Sequence, residues 1–461
     1  MKTIPPLASE SIVNCTREFY GIKLDFAKQR LTRDDFAQLI QFGQKKKLLD
    51  QFNAMRRGEI VNVSEGRAAL HTSLRDPSPN APYAKEVHET LDRVCQFASD
   101  IRNWKRRGCA GDRITDVVNI GIGGSDVGPR LVYNAIREAS PEIHLHFLSG
   151  ADGVMFDRVI SELDPYRTLV VISSKSFKTQ ETKVNAKEVL KWFEKAGIKG
   201  SYLAKHVVTV SANPKASDFY DLPKENYFPI WDWVGGRFSV WGAIGLSVAI
   251  ALGPDVFRRF LSGAHMMDEH ASTQSLDQNI PALLALFSCW NTNRLNTSSY
   301  CFLPYDDRLR DMVTWLQQLE MESLGKFNST LKGLKTCPAV WGGHGNESQH
   351  SFYQWLREGT ASTALDICWI EKPGHDYIEL DKVLKANAKA QTEALVSRNP
   401  EGGYFNAINT LVIDELTPER LGAFMSLYEH KTVMLASLLG INAFDQPGVE
   451  LGKSLAQKNL M

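Results

Sequence analysis

The sequence has no excess of charge of either sign: 53 Lys and Arg stand against 53 Asp and Glu in 461 residues, a formal net charge of zero at pH 7. Binding along nucleic acid or to an anionic membrane surface draws on surplus cations that displace counterions, so neither partner is expected. Cysteine is scarce and scattered. Cys15, Cys95, Cys109, Cys289, Cys301, Cys337 and Cys368 are odd in number and never form CxxC, which excludes a disulfide framework and a zinc box. The one long uncharged run, Phe238 to Pro254, is shorter than the roughly 18 apolar residues a spanning helix requires and is expected to form a buried core helix. The opening residues, MKTIPPLASESIVNC, lack the apolar centre of a signal peptide, so a cytoplasmic home is expected. There is no short-period repeat, low-complexity tract or Gly/Ser linker, which favours domains that pack closely.

What remains is ordinary globular composition, 43% hydrophobic and 23% charged, long enough for about two to four domains. Residues 1–105 show helical periodicity and many charges, among them Lys45, Lys46, Lys47, Arg56 and Arg57, and are expected to form a helical cap. From Asp116 the texture changes. DVVNIGIG, HLHFLSG, TLVVISS and HVVTVSA read as short apolar strands alternating with amphipathic helices, the pattern of a parallel sheet covered on both faces. SYCFLPY, AVWGG and ALDICWIEK repeat the signal later. The expected fold class is therefore α/β, with two mainly parallel sheets flanked by helices. The expected divisions are a first domain at 106–255, connecting helices and a second domain at 256–440, and a C-terminal segment at 441–461 ending in a short helix.

Two turns carry the strongest chemical signal. Gly121-Ile122-Gly123-Gly124-Ser125-Asp126-Val127-Gly128 links a strand to a helix, where glycine lets backbone N–H groups approach an anion. It is not GxGxxG, which disfavours a dinucleotide, and taken alone such a turn also serves packing. Ser173-Ser174-Lys175-Ser176-Phe177-Lys178-Thr179 crowds hydroxyls and ammonium groups at the carboxyl end of TLVVIS. Together the loops suggest a phosphomonoester site, and without GxxxxGK[ST] nucleotide hydrolysis is not expected. Polar residues also gather at Gly235-Gly236-Arg237, at Gln318 with Met321-Glu322-Ser323, and at Gln349-His350, each compatible with a structural polar group when taken singly. His344 and His350 lack HExxH spacing, and no metal is expected.

Seven segments in order, VNVSEGRAALHTSLRDP (61–77), NIGIGGSDVGP (119–129), SSKSFKTQET (173–182), WDWVGGRFSVWGAIG (231–245), MESLGK (321–326), GNESQHSFYQWLREGT (345–360) and FDQPGVELGK (444–453), resemble the glucose-6-phosphate isomerase family. The resemblance covers nearly the whole chain. It implies two sugar-isomerase domains, reversible isomerisation of glucose 6-phosphate to fructose 6-phosphate in glycolysis and gluconeogenesis, no cofactor, and a homodimer in which the histidine of one subunit completes the other's site. It implies that Gly124, Ser125, Ser174, Lys175, Ser176 and Thr179 hold the phosphate. It further implies that Arg237, Gln318, Glu322, His350, Gln446 and Lys453 surround the sugar, with Glu181 orienting His350. In that scheme His350 and Lys453 open the ring, Glu322 moves the proton between C2 and C1, and Arg237 stabilises a cis-enediolate.

The chain departs from common family text at Ser176 and Lys178, at Gly345-Asn346-Glu347-Ser348 before His350, at Ser149-Gly150-Ala151-Asp152-Gly153, and at Pro447, where tryptophan is common. Only eight residues follow Lys453, so a dimer embrace made by a longer tail is expected to be missing. A relaxed isomerase that also accepts mannose 6-phosphate and a non-catalytic sugar-phosphate sensor are the competing readings. A sensor needs the phosphate loops but not the acid/base set, and all of Glu322, Arg237, His350 and Lys453 are present.

Overall fold

Period-two alternation of burial starts the fold at Ile22-Lys23-Leu24-Asp25-Phe26, where Ile22, Leu24 and Phe26 are fully buried. In the computed structural model, which describes residues 4–139, 141–177, 179–328, 333–397 and 404–460, this segment is a strand, β2 (Ile22–Lys28), paired antiparallel with β1 (Thr16–Phe19). The expected cap over 1–105 is therefore only partly helical. Its helices are Arg33–Lys45, Leu48–Arg56 and Ala84–Arg102, while the hairpin is recruited into a sheet built mostly from the other end of the chain.

The expected strands of the first domain form as β3 (Asp116–Ile120), β4 (His144–Leu148), β5 (Thr168–Ser173) and β6 (Val207–Ser211), joined at the edge by the short β7 (Tyr227–Pro229). All pairings are parallel, in the order β4-β3-β5-β6-β7. Every residue of β5 and β6 is buried, as expected of strands covered on both faces.

The second sheet takes β8 (Ser299–Pro304), β9 (Ala339–Gly342), β10 (Thr363–Lys372) and β11 (Asn406–Glu415), again parallel, and β2 closes on β11 antiparallel to give β1-β2-β11-β10-β8-β9. Between the sheets lies the helix Pro418–Leu439, buried nearly all round and packed on Pro254–Thr273 and Ile280–Asn293. One hydrophobic core runs from Val117 and Leu169 of the first sheet to Leu411 and Ile413 of the second.

The run Phe238–Pro254 is buried as expected, but it is not one helix. It winds through 3-10 turns at Gly236–Phe238 and Ala243–Gly245 before the α-helix Leu246–Leu252. Gly245 explains the break: a β-carbon there would lie 2.5 Å from the Phe257 ring, so close packing of the neighbouring helix dictates a residue that weakens helix.

Candidate active site

The first sheet reverses its strand order between β3 and β5, and ligands of open parallel sheets collect beyond the carboxyl ends of the strands at such a point. Both anion loops predicted from sequence leave from there, Gly121–Gly128 after β3 and Ser174–Thr179 after β5. The helices Val127–Ile136 and Gln180–Lys195 begin at these loops, bringing first-turn N–H groups and positive dipole ends to the switch point. Buried Asn119, at the end of β3, donates to the Ser125 carbonyl at 2.9 Å and accepts from the Ser247 hydroxyl at 3.2 Å, fixing the glycine turn from beneath. Gly124 is dictated by space: a β-carbon there would lie 2.0 Å from the Gly236 carbonyl oxygen, so the turn meets the Arg237 loop backbone to backbone.

In the second loop Ser174 is buried and donates to Thr179 Oγ1 at 3.4 Å, while Ser176 is exposed. Phe177 holds a left-handed φ of 55°, unusual for a residue with a β-carbon, and is pinned by ring stacking on Phe219 at 5.5 Å. Lys178 lies outside the described residues. Lys175 is already engaged. Its Nζ donates to the Asp232 and Val234 carbonyls at 2.9 and 2.8 Å, and burial, with Arg67 nearby, draws its pKa below the usual lysine value. Ser125, Lys175 and Gly236 line one small cavity of about 20 Å³, room for about one water molecule.

Arg237 is buried, and its guanidinium makes five hydrogen bonds, one for each N–H it owns. Nε donates to Ser323 Oγ at 2.7 Å; Nη1 donates to Glu322 Oε2 at 3.0 Å and Gln446 Oε1 at 2.9 Å; Nη2 donates to the Ala443 and Asp445 carbonyls. Burial lowers its pKa although Glu322 pulls it up, and a guanidinium stays charged under such a load. Glu322 arrives from the crossover between β8 and β9, directly after a π-helical turn, Gln317–Met321. Such turns insert a residue and redirect side chains. Gln318 Nε2 donates to Glu322 Oε1 at 3.4 Å, whereas Glu320 of the same turn is fully buried and pairs with Lys431 at 2.7 Å. The Gln318 carboxamide oxygen is buried and makes no hydrogen bond among the described residues.

Glu322 and Gln446, with Lys326, Asn442 and Asp445, line a cleft of about 720 Å³, the size of a small-molecule site. The geometry thus joins a carboxylate one-third exposed, a fixed cation and two carboxamides, with the first anion loop in backbone contact at Gly124–Gly236 and the second tied to the Asp232–Val234 stretch through Lys175.

A family model for phosphoglucose isomerase matches residues 25–404 and 402–460. The chain belongs to the phosphoglucose isomerase family. It is 40% identical over 460 residues to the glucose-6-phosphate isomerase of Paraburkholderia xenovorans, covering 95% of this chain and 85% of that one. The Burkholderia lata glucose-6-phosphate isomerase is 41% identical with the same coverage. Among solved structures, a glucose-6-phosphate isomerase from Chlamydia trachomatis matches with a TM-score of 0.88 at 30% identity, covering 98% of this chain and 90% of that one.

Three residues that the phosphoglucose isomerase resemblance assigns to the site are not brought to the Arg237–Glu322 pair by this chain. His350 ends the helix Gly345–Gln349, is exposed, and its ring makes no hydrogen bond or ion pair among the described residues. Lys453 lies on the helix Glu450–Asn459, every residue of which is exposed, and pairs with Glu450 at 2.7 Å. Glu181, in the first turn of Gln180–Lys195, makes no ion pair with His350 within the described residues of one chain, so the orienting role implied by the resemblance belongs to a second subunit or to none. The reason is placement: Glu181 belongs to the layer of the first sheet, while His350 follows β9 at the edge of the second. The turn before His350 is itself fixed, because Arg310 forks both Glu347 oxygens at 2.7 and 2.8 Å.

Lys326, Asp445 and the Ala443 carbonyl escaped the sequence reading. Lys326 and Asp445 stand inside the MESLGK and FDQPGVELGK segments, but only the fold shows that they meet.

Proposed function

We propose that this chain catalyses the reversible isomerisation of glucose 6-phosphate and fructose 6-phosphate, with Glu322 as the base and Arg237 as the electrostatic stabiliser. The observation that carries the reading is the 3.0 Å contact between Arg237 and Glu322, a residue lining the cleft of about 720 Å³, with the Gly121–Gly128 loop touching the Arg237 loop at Gly124–Gly236. The phosphate binds at Gly124, Ser125, Ser174, Ser176 and Thr179, and Lys175 leaves its carbonyl partners to meet it. Glu322 takes the C2 proton of the open-chain aldose and returns it to C1, while the O2 proton passes to O1. The intermediate is a cis-enediolate, and its negative oxygen is met by a cation that five hydrogen bonds hold in place. Gln318 and Gln446 orient the sugar hydroxyls, the buried Gln318 oxygen accepting from one of them.

Ring opening needs a group that titrates near neutrality, and His350 supplies it with Lys453 assisting at the ring oxygens. Because His350 faces outward in one chain, the reading includes a homodimer in which it reaches the partner's site, beside the partner's own phosphate loop. The enzyme works in the cytoplasm, in line with a glycolytic family.

The test is turnover of fructose 6-phosphate coupled to oxidation of the glucose 6-phosphate formed, run with and without a metal chelator. Turnover insensitive to the chelator is expected. Saturable binding of fructose 6-phosphate without turnover would replace this reading with the sugar-phosphate sensor.

A further inference from the structure

The segment Asn442–Gln446 is held from outside at four of its five positions. Arg237 donates to the Ala443 and Asp445 carbonyls and to the Gln446 side chain. Lys326, four residues beyond Glu322, reaches the same stretch: its Nζ donates to the Asn442 carbonyl and forms an ion pair with Asp445 at 2.6 Å. From the N-terminal region, the Ser64 hydroxyl donates to the second Asp445 oxygen, and the Asn442 carboxamide donates to Asn62 and Ser64 at 2.8 Å. The two charged side chains are 13% and 15% exposed, so the pair sits where water screens it weakly. Burial pushes the Asp445 carboxyl up, but Lys326 and the Ser64 hydroxyl outweigh it and hold the group below the usual carboxylate range.

These contacts form a closed circuit. Glu322 binds Arg237, Arg237 binds 443–446, and Lys326 returns from 442–445 to the segment that carries Glu322. Without the Lys326 arm, the carbonyls that saturate Nη2 have one anchor fewer, and the uncompensated Asp445 carboxylate is drawn toward water or toward Arg237 itself. Either movement tilts the guanidinium away from Glu322 and shifts Gln446. Resting on the isomerase reading above, we propose that Lys326 and Asp445 are positioning residues, a latch that sets the segment 442–446 against the Glu322 turn and so fixes Arg237 and Gln446 over the reacting carbons. The same segment continues through Pro447–Val449 into the helix that carries Lys453.

The experiment measures fructose 6-phosphate turnover and thermal unfolding for the wild-type chain and for Lys326→Met, Lys326→Arg and Asp445→Asn. Asp445→Asn keeps the shape and the acceptor for Ser64, so a folding failure of Lys326→Met does not decide the matter. Misplaced groups cost rate rather than binding, so kcat is expected to fall about ten- to a hundredfold in Lys326→Met and Asp445→Asn. KM is expected to stay within about threefold, and Lys326→Arg to recover most of the loss. Activity of either neutralised variant within about twofold of wild type, or a loss that Lys326→Arg does not reduce, overturns the latch while leaving the isomerase reading intact. Absence of turnover in the wild-type chain overturns both.

Discussion

The two halves of the candidate site are built in opposite ways. Arg237 and Glu322 sit where three separate parts of the chain converge, with the guanidinium saturated by side chains and carbonyls and only a third of the Glu322 side chain exposed. His350 and Lys453 are themselves exposed, and among the described residues the Lys453 ammonium is held by a surface pair with a carboxylate one turn away. Such a pair contributes little, about 0–1 kcal/mol. The difference follows the chemistry proposed for each half. A group that meets developing charge is effective only if it does not reorganise, whereas groups that open a sugar ring act on a substrate that must enter and leave.

The largest effect separating the halves is expected for Glu322→Gln. Removing the base should lower kcat by about a thousandfold or more in the coupled assay, with KM nearly unchanged. A near-normal rate would break the comparison by moving the base elsewhere. Arg237→Lys should follow, with kcat down about a hundredfold, because three ammonium donors cannot replace a planar set of five. Lys175→Ala should act mainly on binding, raising KM about tenfold with kcat within a few fold.

The smallest effect concerns the core, where His270 is buried against Phe19 at 4.3 Å and accepts from the Ile280 N–H. Burial pulls its pKa from 6.5 down to about 4, so the unfolded chain binds the proton more readily than the folded one. Its stabilising contribution is full above pH 6.5 and is lost as pH falls toward 4. Chemical denaturation at pH 7 and pH 5 should show this loss, and His270→Gln should lessen it.

Sequence carried the parallel strands well, because runs such as TLVVIS and VVTVS have a single physical reading between two helical layers. It carried β11 poorly. NAINTLVIDE interrupts its apolar run with Asn406, Asn409 and Thr410, which are buried, and whose cost is offset only in the fold: Asn409 donates to Asp366 and Asn406 to the Leu356 and Leu395 carbonyls. The hairpin β1–β2 was concealed by the helical, charged segments around it, although Ile22, Leu24 and Phe26 alternate plainly. Within the site, residue types and motif order pointed to Arg237, Glu322 and the phosphate loops. The contacts that fix them join positions as distant as Ser64 and Asp445, and local pattern carries no signal across 381 residues. The engagement of Lys175 by two backbone carbonyls was equally out of reach, since it depends on how the Trp231–Val234 loop packs.

The proposed division of the site, a fixed half within one chain and an outward half serving another copy, is tested most directly by complementation. Glu322→Gln and His350→Ala chains, each inactive alone, are co-expressed and assayed for fructose 6-phosphate turnover. If His350 completes the partner's site, about half of the dimers are mixed and one of the two sites in each is intact, so activity returns to about a quarter of wild type. Activity no greater than the sum of the two parents would contradict the account.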